Sequence, residues 1–155
     1  MTDMMFREDA YLRDAQAAVQ AHTPEGGIVL EQTLFYPTGG GQPGDSGTLS
    51  WGSTSMAIAT AVKGDGDSIV LVPAEPRALP PVGSVVTQSL DWDRRYGHMR
   101  VHTALHLLSV VMPFGVTGGS IGAARGRLDF DMADAPEDRD ALEAALNAHV
   151  ASDLR

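Results

Sequence analysis

Three histidines stand four residues apart, His98, His102 and His106. On a helix, each member of such a series turns only about 40° from the last, so all three share a face. Two imidazoles at positions i and i+4 can reach one metal ion, which is the geometry of HxxxH zinc sites. The motif reads His102-Thr103-Ala104-Leu105-His106. It lacks the glutamate that follows the first histidine in zinc peptidases, which argues against peptide hydrolysis by that route. The competing reading is a helix whose histidines are half-buried and satisfied by backbone or water.

A second group of residues invites chemistry of another kind. The segment Thr33-Leu34-Phe35-Tyr36-Pro37-Thr38-Gly39-Gly40-Gly41-Gln42-Pro43-Gly44-Asp45-Ser46-Gly47 packs five glycines into its last nine residues. Glycine opens backbone conformations closed to other residues and lets a ligand approach the main chain, here at Gly40 and Gly41. Gln42, held between a glycine and a proline, presents an amide that both donates and accepts. Thr33 offers a hydroxyl to a small polar substrate. Without a following Lys-Ser/Thr the segment is no P-loop, and without a βαβ unit it is no dinucleotide fingerprint. The plainer possibility is a wide turn that needs its glycines.

The elements that must position these residues divide the chain near residue 93. Before it lie most of the glycines and prolines and a succession of short strand-like runs. Ala15 to Ala21 and Gly27 to Leu34 read as the arms of a hairpin about Pro24-Glu25-Gly26-Gly27. Thr48 to Val62 alternates after a turn at Ser46-Gly47. Ser68 to Val72 follows the turn Gly64-Asp65-Gly66-Asp67, and Val82 to Leu90 follows a connection, Pro73 to Pro81, that carries four prolines. Strands at such intervals predict a small closed or partly closed barrel over residues 1–92. From Asp93, a plausible N-cap, to about Met112 the pattern is helical, and Pro113 stops it. Gly115 to Gly122 reads as a glycine-rich connector, and Arg127 to Phe130 as a strand with no evident partner in its own half. A second helix opens at Asp134-Ala135-Pro136-Glu137, with an apolar stripe through Leu142, Ala145, Leu146 and Val150.

Composition sets the outer bounds. The 155 residues are 43% apolar, enough for a core, and carry no cysteine, so metal ligands must be His, Asp or Glu. No apolar run is long enough for a membrane-spanning helix, and the acids Asp3, Glu8 and Asp9 stand where a signal peptide needs positive charge. A cytoplasmic protein without a membrane partner is expected. The net charge of −9 argues against nonspecific nucleic-acid binding, DNA included. Yet Arg94, Arg95, Arg100, Arg125 and Arg127 occupy a stretch with no acid at all. On charge alone, a phosphate-facing surface and a chance cluster around a core helix stand level.

Together the two constellations resemble one family. The segments TLFYPTGGGQPGDSG and RRYGHMRVHTALHLL are similar to those of the editing domain of alanyl-tRNA synthetase, and nearer still to its freestanding AlaX-type relatives. GGSIGAARGRLDFDM is similar to the segment that follows the histidine helix there. The resemblance runs from Phe6 to the final helix. It implies an α+β protein: a small N-terminal β-barrel with the glycine-rich loop over 1–92, then over 93–155 the first part of an α/β editing domain of the threonyl/alanyl-tRNA synthetase type. It implies a hydrolase that deacylates tRNA(Ala) mischarged with serine or glycine. Gln42 would lie in the editing pocket as a catalytic donor, beside Gly40 and Gly41, and Thr33 would read the serine hydroxyl. His102 and His106 would bind zinc, and the arginine island would face the acceptor end of the tRNA. The family completes its zinc site with a later CxxxH motif, absent from this sequence. The expected outcome is an incomplete zinc shell, a chain that is a portion of a longer protein, and weak or absent metal binding and activity in this form. Two other readings stay open. One is a noncatalytic tRNA-binding or partner-binding module without zinc. The other is an unrelated metal-dependent hydrolase using His98, His102 and His106 with Asp129 or Asp131.

Overall fold

A computed structural model describes residues 1–152. In chain order it contains β1 (Asp3–Met4), a 3-10 turn (Met5–Arg7), β2 (Asp14–His22), β3 (Ile28–Leu30), β4 (Gln32–Thr33), β5 (Gly47–Trp51), β6 (Thr54–Lys63), β7 (Ile69–Pro73) and β8 (Val85–Leu90). Then follow α1 (Trp92–Val111), β9 (Val116–Ile121), β10 (Gly126–Phe130) and α2 (Arg139–Ala151). The chain divides into two compact units, one of Met1–Arg95 and one from Tyr96 onward.

The first unit is a closed barrel in the order β2-β3-β7-β6-β5-β8, with every neighbouring pair antiparallel. Its strands alternate as a half-buried strand must. On β2, Ala17 and Val19 point inwards while Gln16 and Gln20 are exposed. Ile28, Leu30, Leu49, Met56, Ile58, Ile69, Leu71 and Val86 fill the interior, joined by Leu34 and Phe35 from the segment that leads into the glycine loop. Closure leaves no barrel edge for another chain to pair with. The expected hairpin of β2 and β3 is present. One turn is placed differently from expectation. Gly47 lies inside β5, paired with both Ile58 and Leu90, and the chain reverses instead at Gly52, splitting Thr48 to Val62 into β5 and β6.

Beyond Arg95 two sequence expectations change. The Gly115 to Gly122 connector is largely strand β9, and it is the missing partner of β10, with Gly126 opposite Ile121 and Leu128 opposite Gly119. Glycine weakens a strand's signal in sequence. Here the cross-strand side chains of Asp129 and Leu128 lie against Gly118 and Gly119. The second helix starts at Arg139, later than expected, because Asp138 is its N-cap and accepts a 2.8 Å hydrogen bond from the Ala141 amide. The first helix, by contrast, starts at Trp92, two residues before the start that an Asp93 cap would set. Asp91 Oδ1 accepts from the Arg94 amide at 3.3 Å, and Asp93 sits in the first turn. No helix among the described residues is long and apolar enough to cross a membrane.

Candidate functional site

The glycine loop is a ladder of hydrogen bonds closed by a tight turn. At its base the Tyr36 amide donates to Asp45 Oδ2 (2.7 Å) and the Asp45 amide donates to the Tyr36 carbonyl (2.9 Å). One rung up, the Gly44 amide donates to Thr38 Oγ1 at 2.9 Å. At the tip Gly39 and Gln42 exchange both backbone hydrogen bonds, 3.0 and 3.1 Å long. Between them Gly40 and Gly41 have φ of +59° and +78°. Positive φ at both central positions is the mark of a type I′ turn, which residues with a Cβ adopt only with strain. So the loop is narrow where the sequence left a wide turn open. Gly44 has a separate reason to be glycine: a Cβ there would overlap the Ala61 carbonyl of β6.

Thr33 and Gln42, the two expected substrate-facing side chains, are both buried, at 1% and 5% exposure. Thr33 Oγ1 donates to Gln88 Oε1 at 2.7 Å and accepts from the Phe35 amide at 3.2 Å. Gln88 is an inward-facing polar residue on β8, wholly buried, whose Nε2 donates to the Gln32 carbonyl. Gln88 therefore orients Thr33, a role the sequence did not signal, because a glutamine in an alternating strand resembles any outward polar position.

The arginine island is not one surface. Arg95 is 3% exposed. Its Nε donates to Asp45 Oδ2 (2.8 Å), its Nη2 to the same oxygen and to the Leu34 carbonyl (2.6 Å), and its Nη1 to the Ala10 carbonyl (3.0 Å). A guanidinium so engaged and buried does not meet phosphate, which corrects the expectation for Arg95. Arg94 is half-buried and donates to the Gly44 carbonyl at 2.8 Å. These two side chains fasten both stems of the glycine loop. They also tie the first turns of α1 to the barrel, within the unit Met1–Arg95. Arg100, Arg125 and Arg127 are exposed, and Arg127 pairs with Asp129 at 3.0 Å.

In the second unit, exposure rises along the histidine series. His98 is buried, His102 half-buried and His106 exposed, following the drift of about 40° per step. The His102 and His106 rings lie nearly parallel, 15° apart, with centroids 4.9 Å apart. Burial first, and the neighbouring His106 second, hold His102 below the usual histidine range. A neutral imidazole is the form that binds a metal. Among the described residues, however, no three His, Cys, Asp or Glu side chains are grouped to hold an ion. Zinc takes at least three protein ligands. The pair alone therefore does not make a zinc site, and the expectation of a site built from all three histidines with Asp129 or Asp131 is not met.

Residues 7–94 match the family described as tRNA synthetases class II (A). The chain is 36% identical over 141 residues to the alanyl-tRNA editing protein AlaX-M of Methanosarcina acetivorans, covering 85% of this chain and 58% of that protein. It is 37% identical over 136 residues to AlaX-M of Pyrococcus horikoshii, covering 83% and 60%. Over 108 residues it is 42% identical to the alanine–tRNA ligase of Pyrobaculum arsenaticum, covering 69% of this chain and 12% of the ligase. The chain thus spans under two thirds of the length of the AlaX-M relatives.

Proposed function

The chain belongs to the tRNA synthetases class II (A) family, and on that footing we propose a trans-editing hydrolase that deacylates tRNA(Ala) mischarged with serine or glycine. The observation that carries this reading is the likeness to proteins named for alanyl-tRNA editing, over 85% of the chain in one case. A match of that extent takes in both the glycine loop and the histidine pair.

Deacylation needs a water at the ester carbonyl and a donor for the oxyanion that develops there. Gln42 is the donor we assign. Its backbone is fixed by the exchange with Gly39, which narrows the positions open to its amide, and a preorganised donor reorganises less during the reaction. Thr33 is the residue we assign to read the serine hydroxyl. Its own proton goes to Gln88, so toward a substrate it acts as an acceptor through its remaining lone pair. A site that hydrogen-bonds a substrate hydroxyl rejects the analogue without it far more strongly than an apolar pocket rejects an added group. That is the discrimination needed between serine and alanine. Arg100, Arg125 and Arg127 are the arginines left to meet tRNA phosphates. His102 and His106 are the pair this chain offers to zinc, which in a complete shell would polarise a carbonyl or a water. Two ligands do not complete that shell, so no step is assigned to the metal, and deacylation by the 155-residue form should be slow.

The test is hydrolysis of Ser-tRNA(Ala), Gly-tRNA(Ala) and Ala-tRNA(Ala) by the purified chain, with zinc content measured on the same sample. Serine or glycine release above buffer hydrolysis, with Ala-tRNA(Ala) spared, is expected. Gln42→Ala should lower the rate, and Thr33→Val should lower the preference for serine. Salt-sensitive tRNA binding without hydrolysis, unchanged by added zinc, would withdraw the catalytic assignment and leave a binding module.

A further inference from the structure

Most outward positions of the barrel are polar or small: Gln16 and Gln20 on β2, Thr48 and Ser50 on β5, Thr87 and Ser89 on β8. Apart from the exposed Val85 on β8, one region breaks the pattern. Val29, Val70 and Val62 stand directly opposite one another across β3, β7 and β6, and Val72 follows two residues on from Val70. Their sequence neighbours Ile28, Leu30, Ile69, Leu71 and Ala61 fill the core, so these valines point to the outer side of the barrel, where Val29 is buried and Val62, Val70 and Val72 are half-buried.

The four valines floor a cleft of about 980 Å³. The turn Thr23 to Gly27, the turn at Gly64 to Ser68 and the proline-rich strap from Pro73 to Leu79 wall it. The strap is tied down on both sides. The Ala74 amide donates to the Ala57 carbonyl (2.9 Å), Arg77 Nη1 donates to the Ser55 carbonyl (3.1 Å), and His22 Nε2 meets the Pro80 carbonyl at 2.9 Å. No residue of the glycine loop lines the cleft. Exposed carboxylates of Glu25, Asp65 and Glu75 stand around it, against the single cation Arg77.

An apolar floor of this kind gains when a ligand takes it out of water. The carboxylates repel a phosphate backbone and favour an ammonium or guanidinium group. The volume lies at the upper end of the range for small-ligand sites, large enough for several side chains. We propose that this cleft docks a peptide segment of a partner protein, with apolar side chains on the valine floor and Lys or Arg against Glu25, Asp65 and Glu75. The site is separate from the glycine loop and stands whether or not the deacylase reading holds.

The experiment uses the full chain with methyl-labelled valine, titrated with a short alternating Leu/Lys peptide and its Leu/Glu counterpart. Saturable shifts at Val29, Val62, Val70 and Val72 are expected with the Leu/Lys peptide. Binding of the Leu/Glu peptide should be weaker by about tenfold or more. A double variant Glu25→Lys/Glu75→Lys, altering exposed side chains only, should reverse that order. The proposal fails if neither peptide moves these methyls. It fails equally if both peptides bind alike and the double variant changes nothing, since that is apolar adhesion alone. It also fails if benzylamine alone occupies the cleft as tightly as the peptide, which would make it a small-ligand site.

Discussion

Asp45 and Arg95 form a buried pair in which one carboxylate oxygen takes the Tyr36 amide and two guanidinium donors. Removing one member of a buried pair leaves the other charge without compensation, at a cost of about 3–5 kcal/mol. Arg95→Met should therefore lower stability by that order in denaturant unfolding. Arg100→Met, at an exposed position, should shift it by less than about 0.5 kcal/mol. The opposite pattern, with Arg95 tolerant and tRNA binding lost, would restore Arg95 to the nucleic-acid surface. His102 gives a second residue-scale expectation. Its pKa lies below 6.5 in the folded chain, from burial and then from His106. Between that depressed value and 6.5 the unfolded chain binds more protons than the folded one, so this group's contribution to stability is present above 6.5 and is lost as pH falls through the folded value. In metal-free protein, proton NMR should show His102 titrating below the ordinary range, and His106→Gln should move it upward. No upward movement would mean that burial alone sets the shift.

The glycine loop separates two uses of one residue type at the scale of an element. Gly40 has a positive φ but open surroundings, with Tyr36 Oη the nearest atom to an added Cβ at 3.7 Å. Gly40→Ala should cost about 1 kcal/mol, a backbone cost alone. Gly44→Ala should cost about 2 kcal/mol or more, because its Cβ displaces the backbone of β6. Thermal unfolding of the two variants checks the order. If Gly40→Ala proves the more damaging, the tip of the loop is held by more than its hydrogen bonds. Sequence pattern gave the barrel strands readily, since alternation survives wherever one face is buried. It missed β9, because glycines erase alternation, and it misplaced helix starts by up to a few residues, because several acids nearby could each have served as the cap.

Across the whole molecule the buried apolar residues are unevenly distributed. Among those described, only Met112 and Ile121 lie beyond Arg95, and α2 buries none of its residues. Local opening follows buried contact, so the amides of α2 should exchange with solvent much faster than those of β2, β6 and β7. Hydrogen exchange by mass spectrometry measures this directly. Protection of α2 equal to that of the barrel would show that it is covered in solution. The AlaX-M relatives are longer at this scale, the matched region covering 58% and 60% of them.

Residue type and order alone determined the barrel's strand content, the shared face of the histidines and the family, because periodicity and a specific pair of motifs are one-dimensional signals. Only the tertiary structure decided which charged and polar groups are available. Arg95 and Arg100 are equal letters in one basic stretch, yet one is locked under the glycine loop and the other meets water. Thr33 looked like a free hydroxyl until Gln88, distant in sequence, took its proton. Desolvation and hydrogen-bond partnership depend on residues brought together by folding, and no local pattern encodes them.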